Sequence, residues 1–326
     1  MRYIVGVDIG GTNLVVGTVP EDGSALFGYQ TMPTDVAGGP DGVVGQIERL
    51  VTDSLAEARS ELGSDIEVVG IGIGAPGPID RHTGTVFLTP NLGWTDMPLR
   101  DRVSAALGLP ATLDNDANCA ILGEWWRGAA QGGKVVVGLT IGTGIGGAVV
   151  LDGKIFHGAS GVAGEFGHAS IDQSGRKCNC GNYGCVEAYS SGPAIARRAV
   201  EGIEAGAESA LPQYVDGELD RITAKTVSQA AADGDKYCLE VITETAHVLG
   251  LAIANMVNIL NPDIVVICGG VTAAGDHLFD PMRNQVRRRA FRPGVAVCRI
   301  VPGSLTGTAG VYGAVASFKE QTWGSC

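Results

Sequence analysis

The chain has 326 residues and a mass of 33.4 kDa, with 45% hydrophobic and 18% charged residues, enough to bury a large core across two domains. Thirty-five acidic residues against 23 basic ones give a net charge of -12, which excludes a surface built to bind nucleic-acid phosphates but not a phosphate site made of backbone amides. No apolar run approaches the ~20 residues of a membrane-crossing helix, and Met1 leads straight into a strand pattern without a basic leader, so a cytoplasmic protein with no membrane partner is expected.

The first predicted element is an apolar run from Tyr3 that reaches Asp8 and the turn Gly10-Gly11-Thr12, continues as a second apolar run to Val19, and meets the hairpin signal Glu21-Asp22-Gly23. The same pattern returns from Val135: an apolar run to Thr140, the turn Gly142-Thr143-Gly144, a second run to Val150, and Asp152-Gly153. This predicts a duplicated strand–turn–strand unit, one copy per lobe, with the two turns facing each other across a cleft to grip one polyphosphate. Glycines let backbone N–H groups approach an anion closely. Thr12 and Thr143 add hydroxyl donors, and Asp8 at a strand end is placed to hold hydrated Mg²⁺. Residues 142–147 also spell the dinucleotide pattern G-x-G-x-x-G, but that motif must open a helix. Here Ala148-Val149-Val150-Leu151 reads as a strand, and no Walker-type phosphate loop is present.

Between the two copies, residues 41–62 have helical spacing, with Asp41 as the expected cap and Gly63 as the stop. Residues 66–73 read as a buried strand, followed by the rigid loop Gly74-Ala75-Pro76-Gly77-Pro78. Residues 111–113 read as a strand end, and a helix opens behind them with Asn115 or Asp116 at its cap. Sites cluster at such strand-to-helix junctions. Asp116 is therefore the candidate general base for an attacking hydroxyl, and Asn115 the candidate partner of a neighbouring hydroxyl. The competing reading of these two residues is plain N-capping.

After the second copy, Gly164-Glu165-Phe166-Gly167-His168 precedes three clustered cysteines, Cys178, Cys180 and Cys185. With His168 they offer three thiolates and an imidazole, the donor set of a closed, structural zinc site. Glu165 and Glu187 flank the cluster. A zinc knot there would aim both carboxylates at one ligand, and His168 could hold the metal with one ring nitrogen and present the other, a set suited to a sugar. Of the other cysteines, Cys268 reads as a buried strand residue, and Cys119, Cys238, Cys298 and Cys326 show no partner spacing. Helices are expected over residues 188–206 and 241–260, a strand over 264–268 and a small-residue helix over 307–319. Residues 202–220 read as an acidic surface loop or ragged helix end.

Taken together, Asp8-Ile9-Gly10-Gly11-Thr12, Asn115-Asp116-Ala117-Asn118, the turn at 142–146, Gly164 to His168, the Cys178–Glu187 segment and Gly269-Gly270-Val271 resemble the motifs of the ROK family of sugar kinases and repressors, within it most closely the glucokinases. The matching motifs run from residue 8 to residue 271 in the family's order. The resemblance implies an α/β, two-lobed actin-like ATPase (ribonuclease H-like) fold with a cleft between the lobes: residues 1–114 plus 306–326 in the small lobe, residues 115–305 in the large lobe with the zinc loop. It implies phosphorylation of the 6-hydroxyl of glucose by ATP with Mg²⁺ and structural Zn²⁺, Asp116 being the base. Asn91, Asn115, Glu165, His168 and Glu187 are implied as sugar ligands, and Asp8, Gly10, Gly11, Thr12, Gly142, Thr143 and Gly144 as the phosphate site. Gly269 and Gly270 are implied to lie beside the adenosine. Asn13 departs from the pattern, since many members carry lysine there. Another hexose such as N-acetylglucosamine, N-acetylmannosamine or fructose, polyphosphate as donor, and a non-catalytic sugar-binding regulator are the alternatives. The family's repressors carry a DNA-binding domain ahead of the first motif, where this sequence has seven residues. A homodimer is expected because relatives often form oligomers.

Overall fold

The computed structural model describes residues 1–89 and 91–324; Pro90, Ser325 and Cys326 lie outside the described residues. β1 (Arg2–Ile9) and β2 (Asn13–Pro20) pair antiparallel from Tyr3↔Pro20 to Ile9↔Leu14, which makes residues 10–12 the turn. β1 is buried along most of its length. A central strand covered on both faces has no polar side to alternate with, hence its unbroken apolar run. β3 (Phe27–Pro33) joins β2 across residues 21–26, a longer connection than the tight hairpin expected there. α1 (Gly39–Leu62) buries Val43, Ile47, Leu50, Val51 and Leu55. It begins before the expected Asp41: Gly38 is the cap, Pro40 fills the first turn where no N–H is needed, and Asp41 sits where the helix dipole favours an anion. Gly63 ends it as predicted.

β4 (Glu67–Ala75) lies parallel to β1. The short strands β5 (Ile79–Asp80), β6 (Thr85–Thr89) and β7 (Trp94–Met97) form a separate three-stranded sheet. After α2 (Leu99–Leu107), β8 (Ala111–Asn115) completes a five-stranded sheet of order β3-β2-β1-β4-β8 and runs directly into α3 (Asp116–Arg127).

The second copy follows: β9 (Val135–Ile141), β10 (Ile145–Leu151) and β11 (Lys154–Ile155). Asp152 and Gly153 have φ of 46° and 82°, as the two-residue turn between β10 and β11 requires. No helix opens at residue 142, so the dinucleotide reading is excluded. The helix expected over 188–206 is broken into α4 (Glu187–Ser190) and α5 (Gly192–Glu204). Ser191 caps α5 through Ala194 N, and Pro193 has no N–H to continue the preceding turn. α6 (Ala224–Ala232) precedes α7 (Lys236–Leu260), which starts before the expected residue 241 because Asp235 caps it through Cys238 N. α7 is long and apolar enough to cross a membrane by length and composition, against the expectation from sequence; 56% of its most apolar window is buried, and it packs against α6 and α8. β12 (Ile264–Cys268), α8 (Asp276–Arg289), α9 (Arg292–Val297), β13 (Arg299–Pro302) and α10 (Ala309–Trp323) end the chain. The second sheet has the order β11-β10-β9-β12-β13, the same topology as the first.

Two compact units result. One comprises Met1–Gly133, Val149–Ala163 and Ser304–Cys326; the other Lys134–Ala148 and Gly164–Gly303. The first break therefore falls at residue 133, not at the expected 114. α3 stays with the first unit because it packs backbone to backbone on α10: Cys119 O lies where a Cβ on residue 313 would stand, so only glycine fits there.

Candidate functional site

In the first unit three neighbouring parallel strands end abreast, with Asp8 opposite Gly74 and Gly74 opposite Asp114. Chemistry-bearing residues collect at these strand ends. Asn115 caps α3: its Oδ1 accepts from Ala117 N at 2.9 Å and Asn118 N at 3.2 Å, and its Nδ2 donates to Gly77 O at 3.2 Å. The capping reading of Asn115 thus holds in full, and its amide group has a second hydrogen to offer a ligand. Asp116 is the first residue of α3, and its Oδ1 accepts from Ala117 N at 2.8 Å. Asp8 sits at the end of β1 against the start of α10, its carboxylate filling the space that any side chain on Gly310 would take. Burial, with Asp116 adding like charge, pushes the Asp8 carboxyl up to about 7. Two crowded carboxylates of this kind are a fit for a divalent cation.

The turn after β1 is tight. Gly10 N donates to Asn13 O at 2.9 Å, and Gly10 O accepts from Thr34 Oγ1 at 2.8 Å. Gly10 N is therefore spent inside the turn, while Gly11 and Thr12 are exposed at its tip. The Asn91 side chain stands beside Gly11.

The second unit repeats the arrangement. β9 and β12 run parallel, with Thr140 opposite Cys268, so the turns at 142–144 and 269–270 lie side by side beyond neighbouring strand ends. This is the position at which α/β sheets bind ligands. A cavity of 1010 Å³ opens there, lined by Gly142, Thr143, Ala196, Val200, Gly270 and Val271 among others. Its volume and largely apolar wall suit a nucleoside. Gly142 N is committed to Gly144 O at 2.9 Å, while Gly142 and Thr143 are exposed. Sequence reasoning misses the part of this wall made by α5 and by Leu219, Asp220, Ile222 and Lys225: it expects a helix over 188–206 but gives it no role, assigns nothing to Ile222 and Lys225, and reads residues 202–220, Leu219 and Asp220 among them, as surface. The spacing of Leu211 and Val215, both buried, is the available signal that this stretch folds inward.

The Cys/His cluster forms as predicted. The ligand atoms of His168, Cys178, Cys180 and Cys185 lie within 4.8 Å of one another. Cys180 Sγ and Cys185 Sγ are 3.7 Å apart, and Cys178 Sγ is 3.8 Å from His168 Nδ1. A tetrahedral zinc with Zn–S bonds of about 2.3 Å sets sulfur–sulfur edges of about 3.8 Å, whereas a disulfide would bring two sulfurs to about 2 Å. Burial pushes the Cys185 thiol up to about 12 and raises Cys178, while the backbone N–H of Asn182 lowers the exposed Cys180. The donor set and spacing fit zinc. Glu187 ties this cluster to the turn before β10: Oε1 is 3.8 Å from Cys178 Sγ, and Oε2 accepts from Ile145 N at 2.8 Å. Glu165 is exposed and precedes the short helical turn Phe166–His168.

The model of the ROK family matches residues 4–321. A glucokinase of Halalkalibacterium halodurans is 38% identical over 326 residues, covering 98% of this chain and 96% of that protein. A glucokinase of Thermotoga maritima is 38% identical over 322 residues, covering 98% of each. Among solved structures, a ROK family glucokinase from Streptomyces griseus in complex with glucose and AMPPNP superposes with a TM-score of 0.82 at 35% identity, covering 96% of this chain and 98% of that one. The α/β fold is the actin-like ATPase fold that the resemblance implied.

Proposed function

The chain belongs to the ROK family, and from that premise we propose that it transfers the terminal phosphoryl group of ATP to the 6-hydroxyl of glucose. The observation that carries this reading is the Asp116 carboxylate at the head of α3, beside Asp8, in a chain that matches glucokinases over 98% of its length.

Phosphoryl transfer needs position and charge neutralisation more than covalent chemistry. Asp116 takes the proton of the sugar 6-hydroxyl, its carboxylate held in one plane by the Ala117 N–H. Asn115, anchored by its cap bonds and by Gly77 O, donates its remaining amide hydrogen to the sugar. Asn91, Glu165, His168 and Glu187 hold further hydroxyls. The exposed tips Gly11, Thr12 and Thr143, with half-buried Gly144, give N–H and hydroxyl donors to phosphate oxygens, and Asp8 is the residue that would hold Mg²⁺, which would offset the phosphate charge. Gly269 and Gly270 edge the nucleoside cavity. His168, Cys178, Cys180 and Cys185 would hold Zn²⁺, which would fix the His168 tautomer and pin the loop that bears Glu187. A cytoplasmic location, where ATP is supplied, goes with this reading.

The test is an ADP-release assay with MgATP against glucose, mannose, fructose, N-acetylglucosamine and N-acetylmannosamine. Glucose should be turned over fastest. Preference for an N-acetyl sugar would overturn the substrate and leave Asp116 in place; no turnover with ATP, but turnover with polyphosphate, would overturn the donor. A homodimer belongs to the same proposal. Exposed Ile259, Phe291 and Val297 around the contact of α7 with α9 support it, and a monomer by light scattering would refute it.

A further inference from the structure

Near Asp116 in the chain, a single carboxylate at the end of β8 gathers α3, α10 and the segments that carry Arg81 and His157. Asp114 is 2% exposed. Its Oδ1 accepts from Asn115 N at 2.8 Å and from Asn118 Nδ2 at 2.9 Å, both in the cap and first turn of α3. Its Oδ2 accepts from Ser317 Oγ of α10 at 3.1 Å, and His157 Nε2 lies 3.1 Å from it. Arg81, just beyond β5, pairs with the same oxygen at 3.2 Å and also reaches His157 Nδ1 at 3.0 Å. Burial alone would raise the Asp114 pKa, but the bonds and charges of His157 and Arg81, with Asn118, outweigh it and hold the group below the ordinary carboxylate range. Cys119, one turn along α3, shows how crowded the spot is: burial pushes its thiol far up, and Asp114, Asp8 and Asp116 add to the push.

We infer that Arg81 and His157 are positioning residues for the reaction, acting on Asp116 through Asp114. The carboxylate of Asp114 fixes the peptide that carries Asn115 and, through Asn118, the first turn of α3, so the direction of the Asp116 side chain is set by how Asp114 is held. A buried anion keeps its place only where it is compensated, and Arg81 and His157 are the compensating pair. Removing either lets the head of α3 relax. A misplacement of about 1 Å at a reacting group costs up to about 100-fold in rate. The inference rests on Asp116 being the base.

The bracket is also reachable. Arg81 and His157 line a cavity of 550 Å³ together with His82, Phe87 and residues 158–161. Small cations can therefore enter where these side chains are cut back. The experiment compares His157→Ala, His157→Gln and Arg81→Ala with the parent chain, measuring kcat, both KM values and melting temperature, without and with imidazole or guanidinium ion. Turnover should fall by about 10- to 100-fold in both alanine variants, with KM for glucose and MgATP within about threefold of the parent. His157→Gln, which keeps an N–H donor, should recover most of the rate, and imidazole should restore His157→Ala in a saturable way. If turnover stays within threefold of the parent while only the melting temperature drops, the bracket is structural and the inference falls. Where an alanine variant does not fold, Arg81→Gln carries the same test, and its normal turnover would overturn the inference too. Asp116→Ala separates the two readings: if that variant keeps its rate, the base assignment fails; if it is inactive while His157→Ala and Arg81→Ala are normal, only the bracket fails.

Discussion

The two strand–turn–strand copies share one topology and have opposite chemistry at their strand ends. In the first unit the ends of β1, β4 and β8 carry Asp8, Gly74 and Asp114, with Asp116 just beyond, so three carboxyl groups are concentrated there. In the second unit the ends of β9 and β12 carry Thr140 and Cys268, followed by glycine turns, and an apolar cavity opens beside them. The same backbone frame thus carries, in one copy, the carboxylates proposed as proton acceptor and cation site and, in the other, the turns that edge the cavity proposed for the nucleoside. The fold supplies strand ends at which a site can be built; the few residues placed there decide what it does.

The comparison can be broken first at the acidic copy. Asp116→Ala should slow turnover by about 10³-fold, since a general base contributes about 10²–10⁴-fold, while glucose binding by calorimetry stays measurable. Turnover near that of the parent would remove the acidic copy's proposed role. Next comes the second unit, where Cys180→Ser takes one ligand from the proposed zinc site. Elemental analysis should show the metal lost, and stability should fall by about 3 kcal/mol or more, as for loss of a structural metal. Because Glu187 touches both Cys178 and the start of β10, KM should rise for glucose and for ATP together. A parent chain purified without zinc would refute the site, and a rise for glucose alone would refute the link through Glu187.

The smallest effect sharpens the contrast. Asp8 has its pKa raised from 3.8 to about 7 on folding. A group whose pKa rises on folding favours the folded state fully below its unfolded pKa, and that contribution is lost as pH climbs through the folded one. Ligand-free protein should therefore lose stability between about pH 4 and pH 7 at this residue. Asp8→Asn should melt roughly 3–6 °C above the parent at about pH 8, with the gap closing toward about pH 4, although its turnover falls. Melting curves that stay parallel across pH would show that Asp8 is not strained by its neighbours.

Much of this is legible in the sequence, and the reason is local. The apolar runs, the turns at 10–12 and 142–144, the helix head at Asn115 and the Cys/His cluster are each written within a few consecutive residues, where strand burial, capping and metal spacing act. The repeat of one pattern announces the repeat of one topology. Only the tertiary structure could show that α3 belongs with α10, that α5 and residues 219–225 wall the cavity, and that Arg81, His157 and Ser317 meet on Asp114. These partners are far apart in the chain and carry no periodicity that points from one to another. Their meeting is decided by how helices and strands pack, through backbone contact at Gly313 and hydrogen bonds to one buried carboxylate.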